Sequence, residues 1–252
     1  MKLTILGSGS AIPVKHRNPA AYLLDIGEDT VLVDSGSGAC RQIARADREI
    51  SEISKVFYTH FHIDHIGELP SLLFAIKNSD FDSTNTNLDI YAHENFRKFI
   101  NEYEKLYGDW IINPDYPYKF SSIEKSGMEF ENFNLFTFSA NHNPESLILR
   151  FENKEGKSLV YTGDTDFCEE LVQAAHNADL LLIECSFPDE YEVEGHLSPK
   201  KVRKVVELAT PKKVVLTHLY PQNDDDTLIE RVGLKDDSII QVASDFDCIK
   251  IS

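Results

Sequence analysis

The sequence predicts a layered fold of the α/β or α+β class. Short apolar segments rich in β-branched residues recur along the chain, and the turn residues around them are typical of strand boundaries. Longer stretches with apolar residues at helical spacing lie between some of these segments. Because sheets and helices bury their apolar faces against each other, this mixture predicts sheets covered by helices.

The predicted strands are mostly four to seven residues long, which is the ordinary length of a strand. They cover residues 3–6, 21–26, 30–33, 56–59, 88–92, 135–139, 146–151, 158–162, 180–184, 214–217 and 239–242. The predicted helices cover residues 39–46, 69–77, 94–107, 167–176 and 198–208. In the last helix, Ser198 is the expected N-cap, Pro199 suits the first turn, and apolar residues continue at helical spacing to Ala209.

The chain is expected to form one domain over residues 1–252. Its length suffices for one large domain or two small ones. The sequence has no repeat, no low-complexity tract and no Gly/Ser linker, so nothing marks a boundary between two domains. The most polar stretches, residues 78–87 and 222–226, are predicted as surface loops, and the acidic run from Asp224 to Asp226 as a solvated one.

The acidic composition limits the choice of partners. The formal net charge is −17 and the sequence pI is about 4.9, so the field of the whole protein repels polyanions such as nucleic acids. No apolar run approaches the roughly 18 residues that a membrane span needs, and the N-terminal segment is too short for a secretory signal. We therefore expect a cytoplasmic protein without membrane contact.

The densest chemical motif is the run "THFHIDHIGELP", which begins at Thr59. It places His60, His62, Asp64 and His65 directly after a predicted strand, where the chain can turn and bring their side chains together. Imidazoles and a carboxylate suit zinc, and the same ligands accept manganese or iron. The four cysteines are scattered without a C-x-x-C pair, which argues against a cysteine zinc site. The run therefore predicts a metal site of histidine and aspartate ligands.

This run resembles the H-x-H-x-D-H signature of the metallo-β-lactamase superfamily, and most closely that of its ribonuclease Z branch. Other segments similar to that branch follow in the expected order along nearly the whole chain. They are "LTILGSGSAIPVKHRNPAAYLL", "VLVDSGSGACRQI" with Asp34, "SANHNPESLILRF" with His142, "YTGDTD" with Asp164 and "VVLTHLYP" with His218. The resemblance implies the four-layered αβ/βα sandwich of this superfamily.

The resemblance also implies a dinuclear metal centre, with two divalent ions that are zinc by preference and manganese or iron as alternatives. In this assignment His60, His62 and His142 hold one ion. Asp64, His65 and His218 hold the other, and Asp164 bridges the two. Asp34 is expected to orient one of the ligand histidines.

A site of this kind predicts hydrolysis of a phosphodiester by metal-bound hydroxide, because paired divalent ions activate water and clamp phosphoryl oxygens. Two dications carry four positive charges and the aspartates Asp64 and Asp164 remove two, which leaves a net charge of about +2 beside neutral histidines. Such a pocket inside an acidic protein favours a small anionic, nucleotide-like substrate. Asp64 is expected to act as a ligand and as a proton acceptor.

Two further residues are predicted to be catalytic from the resemblance. "LLIECSF" is similar to a segment of the ribonuclease Z branch that carries a glutamate, here Glu184, and "EGHLSP" to one that carries a histidine, here His196. In that branch the glutamate orients the histidine, which donates a proton to the leaving oxygen or steadies the scissile phosphate. The residue types at Asp164 and His62 argue against β-lactamases and flavodiiron oxidoreductases, whereas a thioesterase or lactonase of the same fold stays open.

The second hypothesis is cleavage of transfer RNA at its 3′ end. Ribonuclease Z proteins usually grip tRNA with a long arm, which in bacterial forms lies between the segments that match His142 and Asp164. Only 21 residues separate these two positions here, and they are predicted to form a hairpin. The missing arm and the acidic surface disfavour tRNA. A third hypothesis is a sensor or binding protein whose metals do not turn over a substrate. Separately, the resemblance to this branch implies a homodimer.

Some remaining features carry open alternatives. The basic triplet Lys15-His16-Arg17 is either an exposed turn or a contact for a substrate phosphate. "GSGS" lacks the third glycine of a dinucleotide loop, so that reading is rejected. His93 and His176 suit helix starts or surfaces. The segment 78–130 is rich in aromatic residues, which we expect to be core or dimer contacts rather than a lid; they include Tyr103, Tyr107, Trp110, Tyr116, Tyr118 and Phe120.

Overall fold

The computed structural model describes residues 1–79, 88–108, 118–123, 127–191 and 193–252. The strands are β1 Lys2–Gly7, β2 Ala21–Ile26, β3 Asp29–Ser35, β4 Ile53–Phe57, β5 Asp89–Ala92, β6 Lys119–Ser122, β7 Met128–Glu129, β8 Phe133–Ser139, β9 Leu147–Asn153, β10 Ser158–Tyr161, β11 Leu180–Glu184, β12 Val214–Thr217, β13 Ile240–Val242 and β14 Cys248–Lys250. The helices are α1 Ala39–Arg45, α2 Ile63–Ile66, α3 Leu69–Ser79, α4 Phe96–Tyr107, α5 Glu169–Ala175, α6 Pro199–Ala209 and α7 Leu228–Val232.

The strands form two sheets, each with seven strands among the described residues. The first sheet has the order β14-β1-β2-β3-β4-β5-β6 and the second the order β13-β12-β11-β10-β9-β8-β7. Each sheet is antiparallel at one end and parallel at the other, with the change at β3 and at β10. The C-terminal strand β14 returns to the first sheet, where Lys2 pairs with Lys250 and Thr4 with Cys248.

Side chains alternate between the two faces of each strand, so that the sheets and helices form four layers. One face of each sheet contributes to a central core between the sheets, in which Tyr22 and Phe57 of the first sheet meet Phe151 and Tyr161 of the second. The opposite face of the first sheet packs on α1, α3 and α4, and that of the second on α5, α6 and α7. The result is the predicted arrangement of helices, sheet, sheet and helices.

The elements missed by sequence reasoning are all short. Strands β6, β7 and β14 have two to four residues, and helices α2 and α7 have four and five. Such lengths carry too little periodicity to be recognised. In the aromatic-rich segment, Tyr103, Tyr118 and Phe120 pack on the outer core of the first sheet, whereas Trp110 and Tyr116 lie outside the described residues.

Helix α6 begins where the sequence predicts, but another residue caps it. Ser198 occupies the N-cap position without bonding a helix amide, and its hydroxyl donates to Oδ1 of Asp189 at 2.6 Å. The same carboxylate oxygen accepts from the Lys200 amide at 3.0 Å. A carboxylate near the first turn also suits the positive end of the helix dipole. Asp189 therefore does the capping, with Ser198 as its support.

The expectations for Arg17 in the basic triplet and for Asp224 in the acidic loop need correction. Asp224 is not a solvated residue, because it accepts hydrogen bonds at 2.8 Å from Nε and Nη2 of Arg17, whose side chain is only 7% exposed. The remaining guanidinium nitrogen of Arg17 donates to Ser8 Oγ at 2.7 Å and to the Ala243 carbonyl. Arg17 therefore joins the N-terminal loop to two C-terminal loops and is not free for a substrate phosphate.

We expect Asp224→Asn to lower the free energy of unfolding by about 1–3 kcal/mol at pH 7, since a charge-assisted, bidentate bond is lost. The hydrogen bonds from Arg17 hold the pKa of Asp224 below its ordinary value. A lowered carboxyl pKa stabilises the fold at neutral pH, and this contribution is lost as the pH falls below about 4. Urea unfolding should thus show a larger difference between variant and wild type at pH 7 than at pH 3. The exposed neighbour Asp226, changed to Asn, serves as the control and should leave stability within about 0.5 kcal/mol.

Among the described residues, no helix combines the length and the apolar character that a membrane crossing requires.

Candidate metal centre

The chain turns sharply after β4 and gathers four side chains of the predicted set. Strand β4 ends at Phe57, and α2 already begins at Ile63, with His62 in extended backbone as its N-cap. Asp64 and His65 therefore sit in the single turn of α2, while His60 and His62 precede it. His60, Asp64 and His65 are buried and His62 is exposed. The short helix explains how neighbours in sequence converge in space.

The other three predicted ligands arrive at the same edge of the fold. His142 lies in the loop between β8 and β9, Asp164 follows β10, and His218 follows β12 directly. Strand ends that run in the same direction meet at one edge of a sheet, and this edge is where the loops that bind ligands in sheet proteins often lie. His218 adopts a φ of +55°, a conformation that is uncommon for residues other than glycine and recurs at functional sites.

The structure brings all seven residues into two adjoining groups. In one, the ligand atoms of His60, His62, His142 and Asp164 lie within 4.8 Å of one another, and in the other those of Asp64, His65 and His218 do.

Asp164 lies between the two groups and turns one oxygen to each. Its Oδ2 is 3.6 Å from His60 Nε2 and 3.9 Å from His142 Nε2. Its Oδ1 is 3.2 Å from His65 Nε2 and 3.4 Å from His218 Nε2. This is the arrangement that a carboxylate needs if it is to bridge two cations.

Several polar atoms of the cluster are buried without a hydrogen-bond partner among the described residues. They are His60 Nε2, His65 Nε2 and Asp164 Oδ1. Buried polar atoms are nearly always paired, because leaving one unpaired costs roughly 1–3 kcal/mol. Each of these atoms can donate an electron pair to a cation, so the residues present fit divalent cations.

Hydrogen bonds on the far side of the rings favour the same orientation. His65 Nδ1 lies 2.8 Å from Oδ2 of the buried Asp34, as predicted for a residue that orients a histidine. His142 Nδ1 donates to the Gly195 carbonyl at 3.1 Å. With Nδ1 carrying the proton in both rings, the Nε2 lone pairs are left to face a cation.

Burial and charge set the protonation of the cluster. Burial lowers the pKa of His60 well below its ordinary value, and the neighbouring His65 adds to this effect, so the His60 ring stays neutral. Burial alone would raise the pKa of Asp164, but His218, His65 and His60 around it hold that pKa well below the usual range. A neutral imidazole and an ionised carboxylate are the forms that bind metals.

Glu184 and His196 lie beside the cluster, where the sequence analysis places them. Glu184 is fully buried at the end of β11 and accepts from the Thr165 amide at 2.8 Å and the Leu197 amide at 3.2 Å. Its Oε1 is 3.0 Å from His196 Nδ1. The His196 ring lies parallel to that of His218, with 6.0 Å between the centroids. Burial would lower the pKa of His196, but Glu184 raises it to about 9, so the ring is a proton donor at neutral pH.

Sequence reasoning missed several groups around the cluster. Gly195 has a φ of +81°, and a Cβ there would come within 2.6 Å of His142 Nδ1, so the position requires glycine. Asn143 Nδ2 donates to His62 Nε2 at 3.0 Å. The partly buried rings of Phe187 and Tyr220 stack at 4.3 Å, and Tyr220 lies 5.8 Å from the His218 ring. Their only sequence signal is position, two or three residues beyond Glu184 and His218.

Several known proteins resemble this chain in sequence and in fold. The model of the family described as Anti-Pycsar protein Apyc1 matches residues 1–236. A ribonuclease Z from Methanosarcina acetivorans is 28% identical, with 90% of each protein covered. The metallo-beta-lactamase fold protein YhfI from Bacillus subtilis superposes with a TM-score of 0.84, at 21% identity over 98% of both chains. Human tRNase Z, short form (ELAC1), gives 0.81, at 23% identity over all of both chains. These likenesses confirm the predicted fold.

Proposed function

The chain belongs to the family of the Anti-Pycsar protein Apyc1, and from this premise we propose that it is a dinuclear phosphodiesterase for small, nucleotide-like substrates. It is a metal-dependent hydrolase of the metallo-β-lactamase superfamily, near ribonuclease Z, and its histidine and aspartate cluster is suited to divalent metal ions. The proposal adds the number of ions, the bond that is cleaved and the roles of individual residues.

One observation carries the proposal, namely the position of Asp164 between two groups of ligands with unpaired buried atoms. In our assignment His60, His62 and His142 would hold one ion and Asp64, His65 and His218 the other, and Asp164 would contribute one oxygen to each. The ligand set suits zinc, and also manganese or iron. A pair of such ions supplies an activated water and stabilises the phosphoryl oxygens of an in-line displacement.

The residues of the chain then have separate tasks. Asp64 is buried and its Oδ2 lies 3.2 Å from His218 Nε2, so it would hold the same ion as His218 and would be placed to accept a proton from a water beside it. His196 is oriented by Glu184 and can give a proton to the leaving oxygen. Since Glu184 also binds the Thr165 amide, it ties the proton donor to the segment that carries Asp164.

Two features support a small nucleotide-like substrate. The site carries a net charge of about +2 when two dications are bound, within a chain of formal charge −17, so a compact anion is favoured over an extended polyanion. The stacked pair of Phe187 and Tyr220 presents partly exposed rings beside His218. Aromatic rings of this kind bind nucleobases by stacking.

Cleavage of tRNA is the second candidate, because the curated relatives are named ribonuclease Z. Against it, β9 and β10 form a plain hairpin between His142 and Asp164, which leaves no space there for an RNA-binding arm. The acidic surface opposes it as well.

A chelation experiment tests the proposal. Purified protein is expected to contain about two divalent ions per chain and to hydrolyse bis(p-nitrophenyl) phosphate and a cyclic mononucleotide. Extended treatment with a chelator should abolish both activities, and adding back Zn²⁺ or Mn²⁺ should restore them, because the water and the phosphoryl oxygens depend on the ions. Metal analysis and product release measured on one sample provide the check.

The same sample distinguishes the alternatives. A thioester, a lactone and a precursor tRNA are assayed beside the phosphodiesters at physiological salt. If the metal-loaded protein leaves phosphodiesters intact but cleaves a thioester or lactone, the proposed substrate class is wrong. Cleavage of the precursor tRNA at one position, without activity on mononucleotides, would establish the second candidate instead.

A further inference from the structure

A cavity lies apart from the metal centre, between the loop after β1, helix α1 and the loop before β14. Its volume is about 310 Å³, within the range of small-molecule sites. The residues that give it its character are Lys15, His16, Asn18, Gln42, Arg45 and Phe246. None of the seven candidate metal ligands, nor Glu184 or His196, lines it.

The cavity holds basic side chains that are free of acidic partners. Across the part of the chain that the structure describes, neither Lys15 nor Arg45 forms an ion pair with a carboxylate. Two unpaired cations at one cavity therefore create a local positive potential against an acidic background.

The other charged groups of the wall are already satisfied. Arg17 is bound to Asp224, as is His16, whose Nε2 lies 2.8 Å from Oδ2. The Asp245 carboxylate accepts from the Ser8 amide and hydroxyl through Oδ1 and from the Asn18 amide and Gln42 Nε2 through Oδ2, all at 2.8–3.0 Å. Because donors surround both of its oxygens, Asp245 is the counter-charge of the loop and its lone pairs are not left to face a ligand.

The guanidinium of Arg45 is held in place from two sides. The Gln42 amide is 4% exposed; its Nε2 donates to the Leu6 carbonyl at 2.7 Å and its Oε1 accepts from Arg45 Nη1 at 2.8 Å. The Arg45 guanidinium carbon lies 4.6 Å from the centre of the Phe246 ring, a cation–π contact. An arginine fixed in this way loses little conformational entropy when it binds an anion.

Phe246 itself is held in a strained conformation. Its φ is +73°, which is a genuine outlier for a bulky residue. The backbone bonds on either side, Phe246 amide to Ile5 carbonyl at 2.6 Å and Ile5 amide to Asp247 carbonyl at 2.9 Å, fix it there. Strain of this kind costs about 1–3 kcal/mol and persists where the surroundings over-determine the position, often at ligand sites.

We propose that this cavity binds a small phosphorylated anion at a site separate from the metal centre. Arg45 offers the planar fork of donors that matches a phosphate, Lys15 adds a mobile point charge, and the Asn18 amide and the Phe246 ring supply a polar and an apolar wall. The same chemistry is present in free phosphate and in the phosphate group of a nucleoside monophosphate.

Calorimetric titration of the metal-loaded protein tests this proposal, with inorganic phosphate in one arm and adenosine 5′-monophosphate in the other. The metal centre is expected to bind phosphate too, so wild type should show two classes of site for at least one of the two probes. Arg45→Gln and Lys15→Ala should each weaken one class at least tenfold and leave the other unchanged. If the cavity binds adenosine 5′-monophosphate more tightly than inorganic phosphate, its ligand is a nucleoside monophosphate. If the two affinities are equal, the cavity recognises the phosphate group alone.

Arg41→Gln is the matched control, because Arg41 is an exposed arginine on the same helix that does not line the cavity. It should retain both classes of site. Circular dichroism melts verify that every variant is folded. A single class of site that survives in Arg45→Gln and Lys15→Ala, or a weak class that Arg41→Gln removes equally, would overturn the proposal. The metal-dependent hydrolysis of bis(p-nitrophenyl) phosphate is scored separately, so the two proposals succeed or fail independently.

Discussion

Asp164→Asn is expected to lower phosphodiester hydrolysis by at least roughly 10³-fold, equivalent to about 4 kcal/mol of transition-state stabilisation. It is also expected to reduce bound metal to less than one ion per chain. The reason is the position of the carboxylate: Oδ2 faces His60 and His142 while Oδ1 faces His65 and His218, so one substitution removes a charged ligand from both groups. Metal analysis by mass spectrometry and initial rates at saturating substrate measure the two effects.

Asp166→Asn is the control for this substitution. Asp166 lies two residues along the same loop, but its carboxylate is 2.6 Å from Lys201 Nζ instead of in the cluster. We expect it to keep the full metal content and activity within a few-fold of wild type. A binding or sensor protein would behave differently. It would show no hydrolysis in the wild type, and Asp164→Asn would change only its affinity for a ligand. Full metal occupancy and full activity in Asp164→Asn would contradict the bridging assignment.

His196→Ala is expected to slow the cleavage of a nucleoside phosphodiester by roughly 10²–10⁴-fold, the usual contribution of a general acid. Its effect on bis(p-nitrophenyl) phosphate should be much smaller, because p-nitrophenolate leaves without being protonated. Metal content should stay at the wild-type level, since the roles of the ligand histidines are unaffected. Rates for the two substrates, compared on protein of known metal content, give the leaving-group dependence directly.

The competing role for His196 is that of a metal ligand, because its ring also falls in a group with Asp164 and His218. A ligand role predicts equal losses for both substrates together with loss of metal, and that result would exclude the proton-donor role. His176→Ala provides a control for the removal of a histidine, because His176 is exposed at the end of α5. It should change neither rate.

The sequence predicted most of the fold because most elements are long enough to show their own periodicity. Strand β14 escaped because it is a three-residue segment with exposed Cys248 and Lys250, and it becomes a strand only by pairing with β1. The cap of α6 escaped for a similar reason, since Asp189 reaches the helix from a loop ten residues earlier than its first residue. Contacts between distant segments leave no local pattern.

The same difference between local patterns and distant contacts applies to the candidate site. The run from His60 to His65 predicted a metal site, and the resemblance to the ribonuclease Z branch added His142, Asp164 and His218. Asp34 was singled out because it lies at the end of a predicted strand. Gly195, Asn143 and the ring of Tyr220 reach the cluster through loop conformations that no motif encodes. The reading of Arg17 was wrong because its partner, Asp224, lies 207 residues away. The cavity beside Arg45 could not be predicted from the sequence either, since its walls come from segments far apart in the chain.

The return of β14 to the first sheet has a consequence for the order of events during biosynthesis. Residues 2–4 are made long before their partners, so one side of β1 stays unpaired until residues 248–250 have been made. Asp245, which binds Ser8 and Asn18, is also made long after them, because it lies 237 residues beyond Ser8 and 227 beyond Asn18. The loop after β1 therefore waits for nearly the whole chain before it is anchored. A nascent chain stalled before residue 245 would expose an open edge of β1, so the first sheet is completed only after residue 250 has been made.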